Sequence, residues 1–338
     1  MPWETAQAVL ASLDIPRGKG WEKTLQKLAK FKATAKQSEQ LEHALKSHIM
    51  CGEKLTQFFT LSDAEMKSLR AIVIKLVPLD SIFKSTYPGL LSAKQLEKAE
   101  PGLPQLVAIE KTDDGVGLVF GSIRVVELRE PLDPGELPKD VAKALADYSE
   151  LFGVKLVKLQ AMDVVWIPHQ GNLVDVRADF LKGIPRDVGL AAQKATRATL
   201  NELAKKDYLS KEANLFPLID KMYRAPKEGT VVELGFGTKT ASLKHEKMRR
   251  AHACLRDEKY HKAGKAALNG SIEPFKLSIE WEIELGNDVV SRPELTFNGN
   301  ALIGGAQNPI LNEAVFRRCT GLGDFEFIRS RIEHYLTA

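Results

Sequence analysis

Nine basic residues, Lys239, Lys244, Lys247, Arg249, Arg250, Arg256, Lys259, Lys262 and Lys265, fall between positions 239 and 265 of a 338-residue chain. Against Glu246, Asp257 and Glu258 they leave a local net charge of +6, whereas the whole chain carries +4, so everything outside this segment sums to −2. Charge is therefore segregated. The chemistry such a segment suits is phosphate contact, because a dense set of ammonium and guanidinium groups gains from the counterions a polyanion releases. Salt limits the reach of each exposed charge to roughly 10 Å, so the clustering matters more than the total. Phe236 and Tyr260 offer ring faces on which bases stack, and His245, His252 and His261 add charge as pH falls. The segment predicts a non-enzymatic nucleic-acid-binding protein, DNA before RNA, in which these nine side chains contact phosphate rather than read bases. A subunit docking on an acidic protein partner would carry the same charge signal. A solvated helix flank, with Leu243, Met248, Ala251 and Leu255 on the core, would also account for the spacing.

Immediately upstream, Thr230, Val231, Val232 and Leu234 run into Gly235-Phe236-Gly237. That order predicts a strand, a tight turn and then a basic helix, with turn amides and a helix N-terminus facing an anion. The run from Val231 to Lys239 resembles the first motif of class I S-adenosylmethionine-dependent methyltransferases, in which a strand ending in an acid leads into Gly-x-Gly-x-Gly. The resemblance implies an alternative function in which Glu233, Gly235 and Gly237 hold that cofactor. It covers about nine residues. Lys239 stands where the third glycine belongs, and the stretch from Met248 to Asp257 is not an apolar strand ending in an acid. The charge reading ranks above it, and no cofactor is expected.

Other constellations carry less. Arg256 to His261 and Arg329 to His334 share the Arg-x4-His spacing of the HEPN ribonucleases, which they resemble in that spacing alone. His245, His252, Cys254 and His261 match no zinc-finger pattern. Asp163, Asp175 and Asp179, with Lys158 or Lys182, could assemble a metal-dependent nuclease site, but acids at strand ends more often cap turns. No Walker loop, Gly-x-Ser-x-Gly or His-Glu-x-x-His occurs. No catalytic or metal-ligating residue is therefore expected. Cys51, Cys254 and Cys319 are too far apart for a cysteine zinc site and odd in number, which suits a reducing compartment: the cytoplasm, or the nucleus in a eukaryote. No apolar run approaches the roughly 18 residues of a membrane span, so no membrane insertion is expected.

With 44% hydrophobic and 27% charged residues, the chain can bury one large core or two smaller ones. Residues 1–100 show helical spacing throughout, with a capping signal at Ser62 to Glu65, and predict a helical N-terminal domain. Its 17–54 stretch carries a net +5, including Lys54, which reads first as the solvated faces of amphipathic helices and second as an accessory phosphate-contacting basic surface. Its amphipathic helices leave a homodimer interface open. From 101 to 338 the texture is α+β, with strands near 106–110, 116–120, 123–128, 154–160, 163–167, 173–176 and 230–234. Phe275 to Leu285 alternates apolar and polar, the pattern of a strand with one polar face. Helices are expected at 140–151, 186–206, 213–224 and 311–336. The fold class that follows is α+β: a helical N-terminal region, then a mixed, largely antiparallel sheet with flanking helices.

Overall fold

The computed structural model describes residues 1–249, 253–268, 272–286 and 289–337. Its strands are β1 (Lys54–Thr60), β2 (Gln105–Lys111), β3 (Gly115–Pro131), β4 (Phe152–Pro168), β5 (Leu173–Asp179), β6 (Thr230–Thr238), β7 (Leu243–Lys247), β8 (Ile272–Glu280), β9 (Ile283–Gly286), β10 (Val289–Ser291), β11 (Glu294–Asn298) and β12 (Glu313–Arg317). Its helices are α1 (Trp3–Ser12), α2 (Trp21–Leu28), α3 (Ala35–Cys51), α4 (Asp63–Val73), α5 (Ile82–Thr86), α6 (Ala93–Lys98), α7 (Lys139–Ala144), α8 (Arg186–Ala204), α9 (Phe216–Arg224), α10 (Lys259–Ala267), α11 (Ala301–Gly304) and α12 (Leu322–Thr337). Ten strands form one sheet in the order β2-β3-β4-β5-β1-β12-β11-β8-β6-β7, and β9 pairs with β10 apart from it. Every neighbouring pair in the large sheet is antiparallel. The fold is α+β, with an antiparallel rather than mixed sheet.

The first hundred residues are not all helical. Lys54 to Thr60 forms β1, which sits mid-sheet between β5 and β12, so the sheet crosses the boundary expected near residue 100. The segment gives little period-two signal because both its faces are covered. Phe58 joins the core under α9 and α12, and Phe59 joins the core under α4 and α8. A strand buried on both sides has no reason to alternate.

The C-terminal helix is likewise shorter than its spacing suggests. Glu313 to Arg317 is β12, Arg318 takes a left-handed φ of 57°, and α12 starts at Leu322. The two runs expected as separate strands at 116–120 and 123–128 are one strand, β3, and it pairs along its full length with β4. The helix expected at 140–151 shortens to α7, while α8, α9 and the Ser62–Glu65 capping box of α4 form where the sequence placed them.

Alternation in β8 holds as far as Glu280. Leu277 and Ile279 face the α9–α12 core. On the other face Ser278 shares a 2.8 Å hydrogen bond with Thr296, and Glu280 binds Arg318. That face is polar as expected, yet Ser278 is buried by its neighbours. Trp281 then turns inward, and its indole N–H donates to Glu228 at 3.1 Å.

Candidate nucleic-acid interface

Gly235-Phe236-Gly237 forms no turn. All three residues lie inside β6, with Gly235 opposite His245 of β7 and Lys276 of β8. The glycine at 235 answers a packing need, because a Cβ there would come within 2.7 Å of the Phe275 ring. Gly237 has open space, with nothing nearer than 3.7 Å. Glu233 is held by Lys276, by His245 Nε2 at 2.6 Å and by Lys247 Nζ at 3.5 Å. Burial opposes its charge, yet the bonds from Lys276 and His245 hold the carboxyl below its ordinary pKa. The three residues implied by the methyltransferase resemblance are therefore strand residues, and no cofactor loop exists at this place. The reversal comes later, at residues 239–242, where Ala241 adopts a φ of 59° and the chain returns as β7 rather than as a helix.

The nine predicted phosphate contacts separate into distinct groups. Lys239 is exposed in the β6–β7 turn, Lys244 and Lys247 are exposed on β7, which is the sheet's edge strand, and Arg249 is exposed just beyond it. Arg250 and His252 lie outside the described residues. Lys259, Lys262 and Lys265 ride on α10, with Lys262 paired to Asp257 at 2.9 Å. Among the described residues, Lys239, Lys244, Arg249 and Lys259 have no carboxylate within ion-pair distance.

Arg256 does not fit the role assigned to it. Its Nε donates to the carbonyl of Tyr223 at 2.8 Å, Nη1 to that of Gly229 at 3.0 Å, and Nη2 to those of Met222 and Glu228 at 2.8 and 2.9 Å. The guanidinium thus ties the end of α9 to the start of β6, satisfying carbonyls that a helix end leaves open. Phe236 is also misassigned as a stacking ring. It is buried, with His261 edge-on at 5.9 Å.

A chain of hydrogen bonds fixes α10 to the sheet. The buried His261 shares Nε2 with the Tyr223 hydroxyl at 2.8 Å and Nδ1 with Glu246 at 2.5 Å. Lys265 Nζ donates to the Tyr223 hydroxyl at 3.2 Å and lies 4.9 Å over its ring. Burial pushes the Tyr223 phenol up to about 12. Two depressions flank the helix. The larger, about 630 Å³, is lined by Arg224, Lys262, Lys265 and Arg256 and by no carboxylate. The smaller, about 80 Å³, is bordered by Lys244, Lys265 and the exposed Tyr260, and its one acid, Glu246, is engaged by His261. Arg224, which pairs with Asp220 at 2.6 Å, was missed by sequence reasoning. Its signal was the basic pair Lys221 and Arg224 in the last turn of α9.

Elsewhere the acids are committed to cations. Asp163 binds Arg124, accepts from Thr196 at 3.1 Å and from the Asp179 amide at 2.9 Å. Asp179 pairs with the fully buried Lys54 at 2.5 Å, which removes Lys54 from the expected basic surface. Asp175 binds Arg177 and Arg329 at 2.5 and 2.9 Å. Lys158 donates to the carbonyls of Glu97 and Ala99 instead of joining the acids. Arg329 is buried while His334 is exposed, so the Arg-x4-His pair on α12 does not converge on one site. Among the described residues no cluster of three His, Cys, Asp or Glu is placed to hold a metal ion, and no helix is long and apolar enough to cross a membrane. No protein-family model, curated protein or solved structure matches the chain.

Proposed function

We propose that the protein binds nucleic acid, DNA in the first instance, on the face formed by α10 and the edge strand β7. The observation that carries the reading is the convergence of Lys244, Lys262, Lys265 and Arg224 on two adjoining depressions, with the exposed ring of Tyr260 at the border of one. Lys239, Lys247, Arg249 and Lys259 extend the same basic segment. Phosphate contact by these groups is sequence-independent, and Tyr260 supplies a stacking face for an unpaired base. The reading assigns no covalent step and no cofactor.

Fluorescence anisotropy with a labelled single-stranded DNA oligonucleotide tests it. Binding is expected at low salt and should weaken as salt rises. The triple charge reversal Lys244→Glu, Lys259→Glu and Lys262→Glu should weaken it at least about tenfold and flatten the log–log salt slope by about 2. These three side chains are exposed, so their loss leaves the fold in place. Absence of binding at low salt, or an unchanged affinity after the reversal, would sink the reading. Capture of an acidic protein that the reversal abolishes, without any salt-sensitive affinity for DNA or RNA, would assign the same face to a protein partner.

A further inference from the structure

β3 and β4 pair along their whole length, but their other neighbours in the sheet stop early. β2 pairs with β3 only as far as Gly121, and β5 pairs with β4 only from Val164 to Trp166. Residues 125–131 and 152–158 therefore form a two-stranded ribbon beyond the sheet, far in the strand order from β7. Such a ribbon gains little stability alone in water.

Opposed residues of antiparallel strands point to the same face, so Val125, Glu127 and Arg129 of β3 share a face with Phe152, Val154 and Leu156 of β4. The Arg129 guanidinium, 4.4 Å over the Phe152 ring, agrees with that register. Cover on this face ends at Lys158, whose Nζ donates to the carbonyls of Glu97 and Ala99. Beyond it all six residues are exposed, Val154 by 64% and Leu156 by 71%. The chemistry is divided by strand. β4 supplies the larger apolar side chains, whereas β3 supplies a carboxylate and a guanidinium two residues apart. Among the described residues neither Glu127 nor Arg129 has an ion-pair partner, while Glu130 on the opposite face is paired to Lys155 at 2.8 Å.

We propose that this face packs on the same face of a second copy of the chain, about a two-fold axis crossing the strands between the row Glu127–Leu156 and the row Arg129–Val154. That rotation lays each strand on its own copy with the direction reversed, the isologous arrangement. Glu127 then meets Arg129 of the second copy, twice by symmetry, and Leu156 meets Val154 in the same way. One carboxylate and one guanidinium at this spacing complement themselves when reversed, which is what selects a second copy as the occupant. Ribbon twist confines close contact to these central rows, with Val125 and Phe152 at the rim. The face is smaller than the roughly 20–30 residues a side of a standard stable interface, so the dimer forms at micromolar concentration. The inference stands independently of the nucleic-acid reading.

Sedimentation velocity of the full chain from about 1 to 200 μM tests it, and should show a reversible monomer–dimer equilibrium. Glu127→Arg and Arg129→Glu, each alone, set like charges against each other across the axis and should weaken the dimer at least about tenfold. The double exchange, and an equimolar mixture of the two single variants, both restore opposite charges and should recover the association. These residues are exposed, and circular dichroism checks that each variant folds. Leu156→Asp should leave a monomer. A chain that stays monomeric across the range overturns the proposal and gives the face to a different partner. A dimer that the single reversals leave intact, or that neither the double exchange nor the mixture restores, overturns it as well.

Discussion

At the scale of single residues, charge alone does not say whether a basic side chain is a ligand contact or a structural tie. Lys262 and Arg256 are six residues apart and indistinguishable by composition, yet Lys262 is exposed on α10 and Arg256 has four backbone carbonyls as partners. Removing Arg256 leaves those partly buried carbonyls without donors. Arg256→Met should therefore lower the unfolding free energy by about 3 kcal/mol, read as a reduced urea midpoint, while Lys259→Glu should leave the midpoint unchanged and weaken oligonucleotide binding. An unchanged midpoint for Arg256→Met would show that the guanidinium is not the staple its geometry indicates. Nothing in the local sequence separates the two roles, because the carbonyls come from residues 222–229, roughly 30 positions upstream.

At the scale of elements, the glycines of β6 divide in the same way. Both stand in a paired strand, but only Gly235 lies under the Phe275 ring. Gly235→Ala should cost about 1–3 kcal/mol by forcing the ring or the strand aside, whereas Gly237→Ala should be close to neutral. Thermal unfolding of the two single variants checks this, and equal melting temperatures would refute the packing account. Edge position explains the lysines of β7 as well. Exposed Lys244 and Lys247 discourage another strand from adding to the open hydrogen-bonding edge, so part of the basic cluster serves solubility whatever it binds. The strand at 230–234 was legible from its β-branched residues, but its continuation through two glycines was not, since glycine ordinarily punctuates a strand.

At the scale of the whole molecule, buried charge on β5 links α3 in the N-terminal part to α12 in the C-terminal part. Arg177, fully buried, donates to Asp175 at 2.5 Å, to Glu326 at 3.0 Å and to the Met50 carbonyl at 3.1 Å, with the Phe325 ring 3.7 Å away. Such an array holds only while every charge keeps its partner. Near it, burial, with the Met1 α-ammonium and then the Lys54 ammonium adding to it, lowers the His48 pKa to about 3 from its ordinary 6.5. A depressed histidine pKa means the unfolded chain takes up the proton first. His48 therefore contributes stability that is complete above about pH 6.5 and is lost progressively as pH falls toward about 3. At about pH 4.5, two units below the ordinary value, the loss should amount to about 3 kcal/mol. Chemical denaturation of the protein and of His48→Gln at neutral and acid pH isolates the term, because other titrating groups act on both. The difference between the two should shrink or change sign on acidification, and parallel pH profiles would exclude a role for His48.

Local signals in the sequence determined the α+β class, the caps of α4, the run of α8 and α9, the alternation in β8 and the existence of a basic segment, because each depends on neighbours within a few residues. Tertiary structure alone decided the rest. Only the fold could place β1 in mid-sheet, since a strand covered on both faces by α9, α12, α4 and α8 loses the alternation that would announce it. Only the fold could draw Arg256 and Phe236 inward, add Arg224 to the basic face and leave Tyr260 exposed beside it. The basic cluster is a property of the sequence, and which of its charges remain free for a partner is a property of the contacts that distant segments make.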